Sequence, residues 1–219
     1  MPIAEGSPLD LFGLPGELVG IILGWALGAL SPLLLWYMVR ARERSELIDA
    51  IKGELTELRV TFAMDAHTLK ERTGRLDDTF LHWLIKALEE SPGVDPQVRT
   101  YAQALHLLLS QPEGARASQP ATQILMKPHR LVLVDANLSR LGICPLPFQQ
   151  RIVNVARLVA NWNEDARFLE TQFERTFDTS LGPINRQIVQ ANIDRAYAKA
   201  LRSSTELVDE LGQVLHSTT

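Results

Sequence analysis

Residues 18–39 read LVGIILGWALGALSPLLLWYMV and contain no charged side chain. As a helix with a rise of 1.5 Å per residue, this stretch is about 33 Å long, close to the roughly 30 Å hydrocarbon thickness of a bilayer. A cleaved signal peptide would begin with positive charge and end in small residues, whereas this stretch follows acidic residues and runs into Trp36 and Tyr37. We therefore predict that residues 18–39 form a retained transmembrane helix in contact with the lipid bilayer.

Positive charge lies on one side of this segment only. Arg40, Arg42 and Arg44 follow it, and no Lys or Arg precedes it. Because the positively charged flank stays in the cytoplasm, we predict a cell inner (plasma) membrane location, with the N-terminus outside and the C-terminal domain in the cytoplasm. Trp36 and Tyr37 are then placed at the inner interface, as in an aromatic belt.

Four glycines recur at every fourth position in and just before the segment: Gly16, Gly20, Gly24 and Gly28. A strip without side chains lets a second helix approach closely, and we expect self-association to be favoured over packing against a different protein. The alternative is that glycine is simply frequent in membrane helices. A small oligomeric pore is a further hypothesis, although Ser31 is the one polar side chain in the span.

After the basic flank, apolar residues repeat in alternating steps of three and four, with Asp65 in the skipped position. This heptad pattern predicts a seam, made of Ile48, Ile51, Leu55, Leu58, Phe62 and Leu69. The seam fits a coiled coil between two chains and, equally, the first helix of a bundle within one chain. The other face is charged, carries several acids with Lys52 and Arg59, and is predicted to face solvent.

The rest of the chain predicts an all-α fold: a single N-terminal transmembrane helix followed by an antiparallel helical bundle or coiled-coil domain. Asp95 and Pro96 are typical of a helix N-terminus, and residues 131–134 fit a helix or a short strand, of which we favour the helix. The predicted organisation is an N-terminus outside the cytoplasm (1–17), the span (18–39), juxtamembrane amphipathic helices (40–110), a loop (111–120) and a C-terminal helical hairpin or bundle (121–219).

Charge and cysteine content exclude several classes of protein. The part after the span holds all 22 Lys and Arg residues and 23 of the 26 acidic ones, since three acids precede Arg40, so its net charge is −1. This balance argues against general nucleic-acid binding. Cys144, the one cysteine, cannot form an internal disulfide. No ligand cluster or phosphate-binding motif is present, so we expect neither a metal nor another cofactor.

Residues 135–158 read DANLSRLGICPLPFQQRIVNVARL. An Asn, a Leu-Gly pair and a Pro-containing turn come before a long amphipathic helix, and this order resembles a pattern in uncharacterised bacterial single-pass membrane proteins. The resemblance implies a bacterial inner membrane. It implies no activity.

Arg99 and His106 are seven residues apart on one predicted helix. This spacing resembles the Arg-x(4–6)-His motif of the HEPN-type helical ribonucleases. The resemblance implies that His106 would act as a general acid or base and that Arg99 would hold the phosphate. A solvated helix face accounts for the same two residues, and we favour it. We therefore expect a non-enzymatic membrane scaffold or adaptor with an unidentified protein partner, and keep the tethered ribonuclease as an alternative.

Overall fold

The computed structural model describes residues 16–74, 76–93, 95–113, 116 and 126–217. Regular structure in these ranges is helical, with no strand, which confirms the all-α prediction. The helices are α1 (Gly16–Thr73), α2 (Asp78–Glu89), α3 (Pro96–Leu109), α4 (Val132–Ala136), a 3-10 helix (Leu138–Ile143), α5 (Leu146–Thr176) and α6 (Pro183–His216). Residues 1–15 of the predicted outer segment, and residues 114–115 and 117–120 of the predicted loop, lie outside the described residues.

The chain divides into two compact units, Met1–Leu47 and Ile48–Thr219. In the first unit, every residue from Gly20 to Glu43 is exposed on the surface of the chain. The hydroxyl of Ser31 donates to the Leu27 carbonyl at 2.7 Å, next to Pro32, which has no N–H to give. Helix α1 continues past the apolar run, because residues 40–52 contain no Pro or Gly and are mostly good helix formers.

In the second unit, α1 lies against helices from the rest of the chain. The six seam side chains are all buried, four of them with an exposed fraction of 1% or less. The ring of Phe62 meets Trp162 of α5 edge to face, with 5.1 Å between centroids, and the Arg72 guanidinium lies 4.2 Å from the ring centroid of Tyr197 of α6. Burying each large apolar side chain stabilises the fold by roughly 1.5–3 kcal/mol.

Helices α2 and α3 begin at aspartates that cap them. The carboxylate of Asp77 accepts from the Phe80 N–H at 2.8 Å, and that of Asp95 accepts at 2.8 Å from the N–H two residues later. Pro96 occupies the first turn of α3, as the sequence indicates. The turn between the two helices contains Gly93, whose φ of +68° is a conformation that side chains rarely adopt.

Helices α5 and α6 run beside each other in opposite directions. Hydrogen bonds link Arg151 to Gln213 near one end and Gln172 to Asn192 near the other. Between them, the Lys199 ammonium lies 2.6 Å from the carboxylate of Asp165, which is buried. The Trp162 side chain is completely buried in the face of α5 that points to the core.

Within the ambiguous stretch, residues 132–134 are helical and begin α4, and Leu131 is its N-cap residue. The Glu54 carboxylate holds this turn, since one oxygen accepts from the Leu133 N–H at 2.9 Å and the other from the Val134 N–H at 3.2 Å. A side chain of α1 therefore supplies the cap that the short helix does not supply itself.

The segment leading into α4 is fastened to α5. The Asn163 side-chain amide both accepts from the His129 N–H and donates to the His129 carbonyl, each at 2.8 Å. The Trp162 indole N–H donates to the Lys127 carbonyl at 3.0 Å. Consecutive residues of one helix thus bind the backbone of a segment that has no regular structure.

Candidate functional site

The first candidate site is the apolar part of α1. Among the described residues, α1 is the one helix long and apolar enough to cross a membrane, and none of its most apolar stretch is buried within the chain. Trp36 and Tyr37 are exposed, and the Arg40 guanidinium lies 5.2 Å from the centroid of the Trp36 ring. Arg42 pairs with Glu46 at 2.7 Å on the helix surface, and Arg44 is half-buried.

The glycine strip is open. A Cβ atom built at Gly20, Gly24 or Gly28 would meet nothing within 4 Å other than the helix itself. The surroundings of Gly16, the first residue of α1, lie outside the described residues. Nothing in the described part of the single chain therefore covers the strip at those three glycines.

The seam is closed by contrast. Its six side chains are in the core of the second unit, where helices of the same chain cover them. Asp65 in the skipped position is half-buried, and its carboxylate lies 3.4 Å from Nε2 of His129. Of the two arrangements that the heptad pattern allows, the structure contains the one within a single chain.

Arg99 and His106 are both exposed on α3, and no hydrogen bond joins their side chains. Nε2 of His106 lies 2.9 Å from the carboxylate of Glu89 on α2, and both side chains in that pair are more than half exposed. Within the part of the chain that the structure describes, no group of three or more His, Cys, Asp or Glu side chains is arranged to hold a metal ion.

A cavity of about 410 Å³ in the second unit has Arg59 in its wall. The sequence interpretation placed Arg59 on the solvated face of the helix, and this was wrong: the residue is 5% exposed. It lies four residues after Leu55 and three before Phe62, on the flank of the seam, where α6 and the end of α2 cover it. The other lining residues are Trp83, Lys86, Ala87, Glu90, Asp209, Gly212, Gln213 and His216.

The contacts of the Arg59 guanidinium are few and long. Nη1 donates to the Ser91 hydroxyl at 3.4 Å, and Nη2 lies 3.7 Å from the Glu90 carboxylate. Nε is buried and has no hydrogen-bond partner among the described residues. Burial lowers the pKa of Arg59, an effect that the charges of Glu90 and Asp209 partly offset.

Gly212 of α6 makes room for the Arg59 side chain. Gly212 lies inside α6, where a glycine costs about 1 kcal/mol relative to Ala unless a close approach requires it. A Cβ at this position would lie 3.1–3.3 Å from three atoms of the Arg59 side chain. The missing side chain is what lets the guanidinium lie flat against α6.

A second buried polar group lies between α1 and α3. The Tyr101 hydroxyl and Nδ1 of His67 are 2.7 Å apart, and Nε2 of His67 is 3.9 Å from the Glu71 carboxylate. Burial lowers the pKa of His67 and, with help from the Glu71 charge, raises that of Tyr101 to about 12. A ring N–H next to a carboxylate is more stable than a ring lone pair there, so we assign the imidazole proton to Nε2, which faces Glu71. Nδ1 then accepts a hydrogen bond that the Tyr101 hydroxyl donates.

Comparison of the chain with known protein families, with curated proteins and with solved structures gives no match. The class to which the structure assigns it is an all-helical protein with packed helices and one long apolar N-terminal helix that could span a membrane.

Proposed function

We propose that this protein is a membrane-anchored helical scaffold or adaptor. The observation that carries the proposal is the contrast within α1: its apolar stretch is uncovered from Gly20 onward, whereas its seam is closed inside the second unit. An uncovered surface of this size on one helix needs an apolar environment, and a bilayer provides one. The closed unit then presents its outer surface to a partner at the membrane.

The mechanism is positional. An anchor that restricts the helical unit to the membrane raises its effective concentration toward other membrane-bound proteins, so that weak contacts are enough for assembly. The positive flank supports an N-terminus outside and a helical unit in the cytoplasm. The resemblance of residues 135–158 to bacterial single-pass membrane proteins supports the inner membrane. The antiparallel bundle or coiled coil is part of the same proposal.

The open glycine strip supports self-association through the span. Gly20, Gly24 and Gly28 leave a groove against which the same groove of a second copy fits. The closed seam limits this contact to the membrane segment, because its side chains are already used within each chain.

Topology is tested by cysteine labelling in membrane vesicles of known orientation. Native Cys144 is buried, so an exposed Ser139→Cys substitution provides the reactive thiol in the helical unit. We expect a membrane-impermeant maleimide to label this cysteine in inside-out vesicles and not in right-side-out ones. Labelling in right-side-out vesicles would reverse the orientation. A mature chain that lacks residues 18–39 would identify a cleaved signal sequence and refute the anchor.

Self-association is tested by replacing Gly20 and Gly24 with Ile in a membrane-association reporter. Bulky side chains on the strip should abolish association. The matched control is Ala26→Ile, which adds an isoleucine on the opposite side of the same helix and should leave association unchanged. Association that survives the glycine substitutions would refute the role of the strip.

The adaptor function is tested by cross-linking in membranes. One version of the chain is native, and in a second an unrelated apolar span of equal length replaces residues 18–39. We expect the second version to remain in the membrane, to lose cross-links to its own copies and to keep those to a partner. A native chain without reproducible cross-links to any other membrane protein would contradict the adaptor proposal.

A further inference from the structure

Arg59 is a buried cation whose hydrogen-bonding capacity is largely unused. A guanidinium has five N–H groups in a fixed fork, and here one makes a hydrogen bond of 3.4 Å while another lies 3.7 Å from a carboxylate oxygen. Well-made charge-assisted hydrogen bonds are 2.7–2.9 Å long. The intramolecular contacts of Arg59 are therefore too long to satisfy it.

We propose that the cavity beside Arg59 binds a small organic acid through its oxyanion, a carboxylate or a phosphate. The fork of Arg59 fits two oxygens of such a group at once, and the cavity of about 410 Å³ is within the usual size range of small-molecule sites. This site is independent of the membrane anchor, because all of its lining residues belong to the second unit.

The other charged side chains around Arg59 are of both signs. Lys86 on α2 adds donors, while Glu90 and Asp209 add negative charge. His216 at the end of α6 is already engaged, since its Nδ1 donates to the Gly212 carbonyl at 2.7 Å. Asp209 is already engaged, since its carboxylate accepts from the Trp83 indole N–H at 2.9 Å. The Glu90 carboxylate makes two long ion pairs, at 3.7 Å with Arg59 and at 3.9 Å with Lys86.

Glu90 is therefore the group with which an entering oxyanion competes. Its side chain is 41% exposed, so it can turn into water when the ligand arrives. The side chains of Trp83 and Ala87 add apolar wall beside the charge. A ligand with one acidic group and a compact or planar body matches this combination.

The test is calorimetric titration of the full chain in non-ionic detergent, with sodium benzoate in one arm and inorganic phosphate in the other. We expect saturable binding at millimolar concentrations in at least one arm. Saturation by benzoate alone identifies a carboxylic acid as the ligand class, and saturation by phosphate alone identifies a phosphate. Absence of saturable binding in both arms would overturn the proposal.

Four variants locate the binding. Arg59→Gln should weaken it about tenfold or more, and Lys86→Gln should weaken it a few-fold. Glu90→Gln removes the competing carboxylate and should strengthen it a few-fold. Glu89→Gln makes the same charge change one residue earlier, outside the cavity lining, and should leave the affinity unchanged.

If Arg59→Gln does not fold, the two exposed positions decide the question. Lys86 and Glu90 are 71% and 41% exposed, so both substitutions should be tolerated. Equal affinity in native protein, Lys86→Gln and Glu90→Gln would show that the ligand binds elsewhere and would refute the assignment of the cavity.

Discussion

Protonation of His67 should destabilise the second unit as the pH falls below neutrality. The residue is 9% exposed between α1 and α3, and burial lowers its pKa from the ordinary value of 6.5. Below pH 6.5, the unfolded chain therefore binds a proton that the folded chain does not, and the free energy of unfolding decreases. The contribution is fully present above pH 6.5 and is lost as the pH falls toward the folded-state pKa.

The size of the effect follows from one proton. Between the two pKa values, the free energy of unfolding should fall by up to about 1.4 kcal/mol per pH unit. The Glu71 carboxylate, 3.9 Å from Nε2, limits the loss because it stabilises the charged imidazole once it forms. The hydrogen bond from Tyr101 also has to reverse, since protonated Nδ1 is a donor.

The assay is urea denaturation of the full chain in non-ionic detergent, followed by near-UV circular dichroism at pH 7.5, 6.5 and 5.5. His67→Gln keeps an acceptor for Tyr101 and should remove most of the slope between pH 6.5 and 5.5. The matched control is His82→Gln, an exposed position on α2 that should keep the native slope. Asp77 does not interfere, because its lowered pKa places its effect below about pH 4. Equal slopes in native protein and His67→Gln would refute the assignment.

Three further substitutions test the interior of the second unit by the same denaturation assay. Trp162→Ala removes a completely buried side chain and should cost about 3–5 kcal/mol. Arg116→Ala should cost about 3 kcal/mol, because this guanidinium donates to four backbone carbonyls and pairs with Asp78 at 2.6 Å; exposed Arg157→Ala is its control and should be neutral. Glu54→Ala removes the cap of α4 and should cost about 1 kcal/mol, with faster amide exchange at the two N–H groups it held. A change under about 0.5 kcal/mol in any of the three would contradict the corresponding contact.

The helices could be predicted from the sequence because the patterns that indicate them involve residues close together in the chain. Asp95 and Pro96 mark the start of α3 by the chemistry of adjacent residues, and the apolar repeat of α1 identifies its buried face. The repeat does not say what covers that face. Phe62 is covered by Trp162, a hundred residues away, and the same period would serve a second chain equally well.

The cavity could not be predicted from the sequence, because residues far apart in the chain form it. Arg59 was assigned to the charged face of the helix that was predicted to face solvent, although its position is next to the seam. Its burial depends on α2 and on Gly212 of α6, and no local pattern reports contacts over that distance. An interior glycine does not report the contact by itself, since Gly53 inside α1 has open space around it whereas Gly212 meets Arg59.

Separate contacts hold the chain on each side of the connection between α3 and α4. The Arg116 guanidinium donates to the carbonyls of Leu76, just before α2, and Leu109, at the end of α3. The backbone of His129 is held by the Asn163 side chain of α5. Each flank is therefore held by contacts of its own. Arg116→Ala or Asn163→Ala, each of which breaks one set of contacts, should therefore release its own flank and leave the other flank in place.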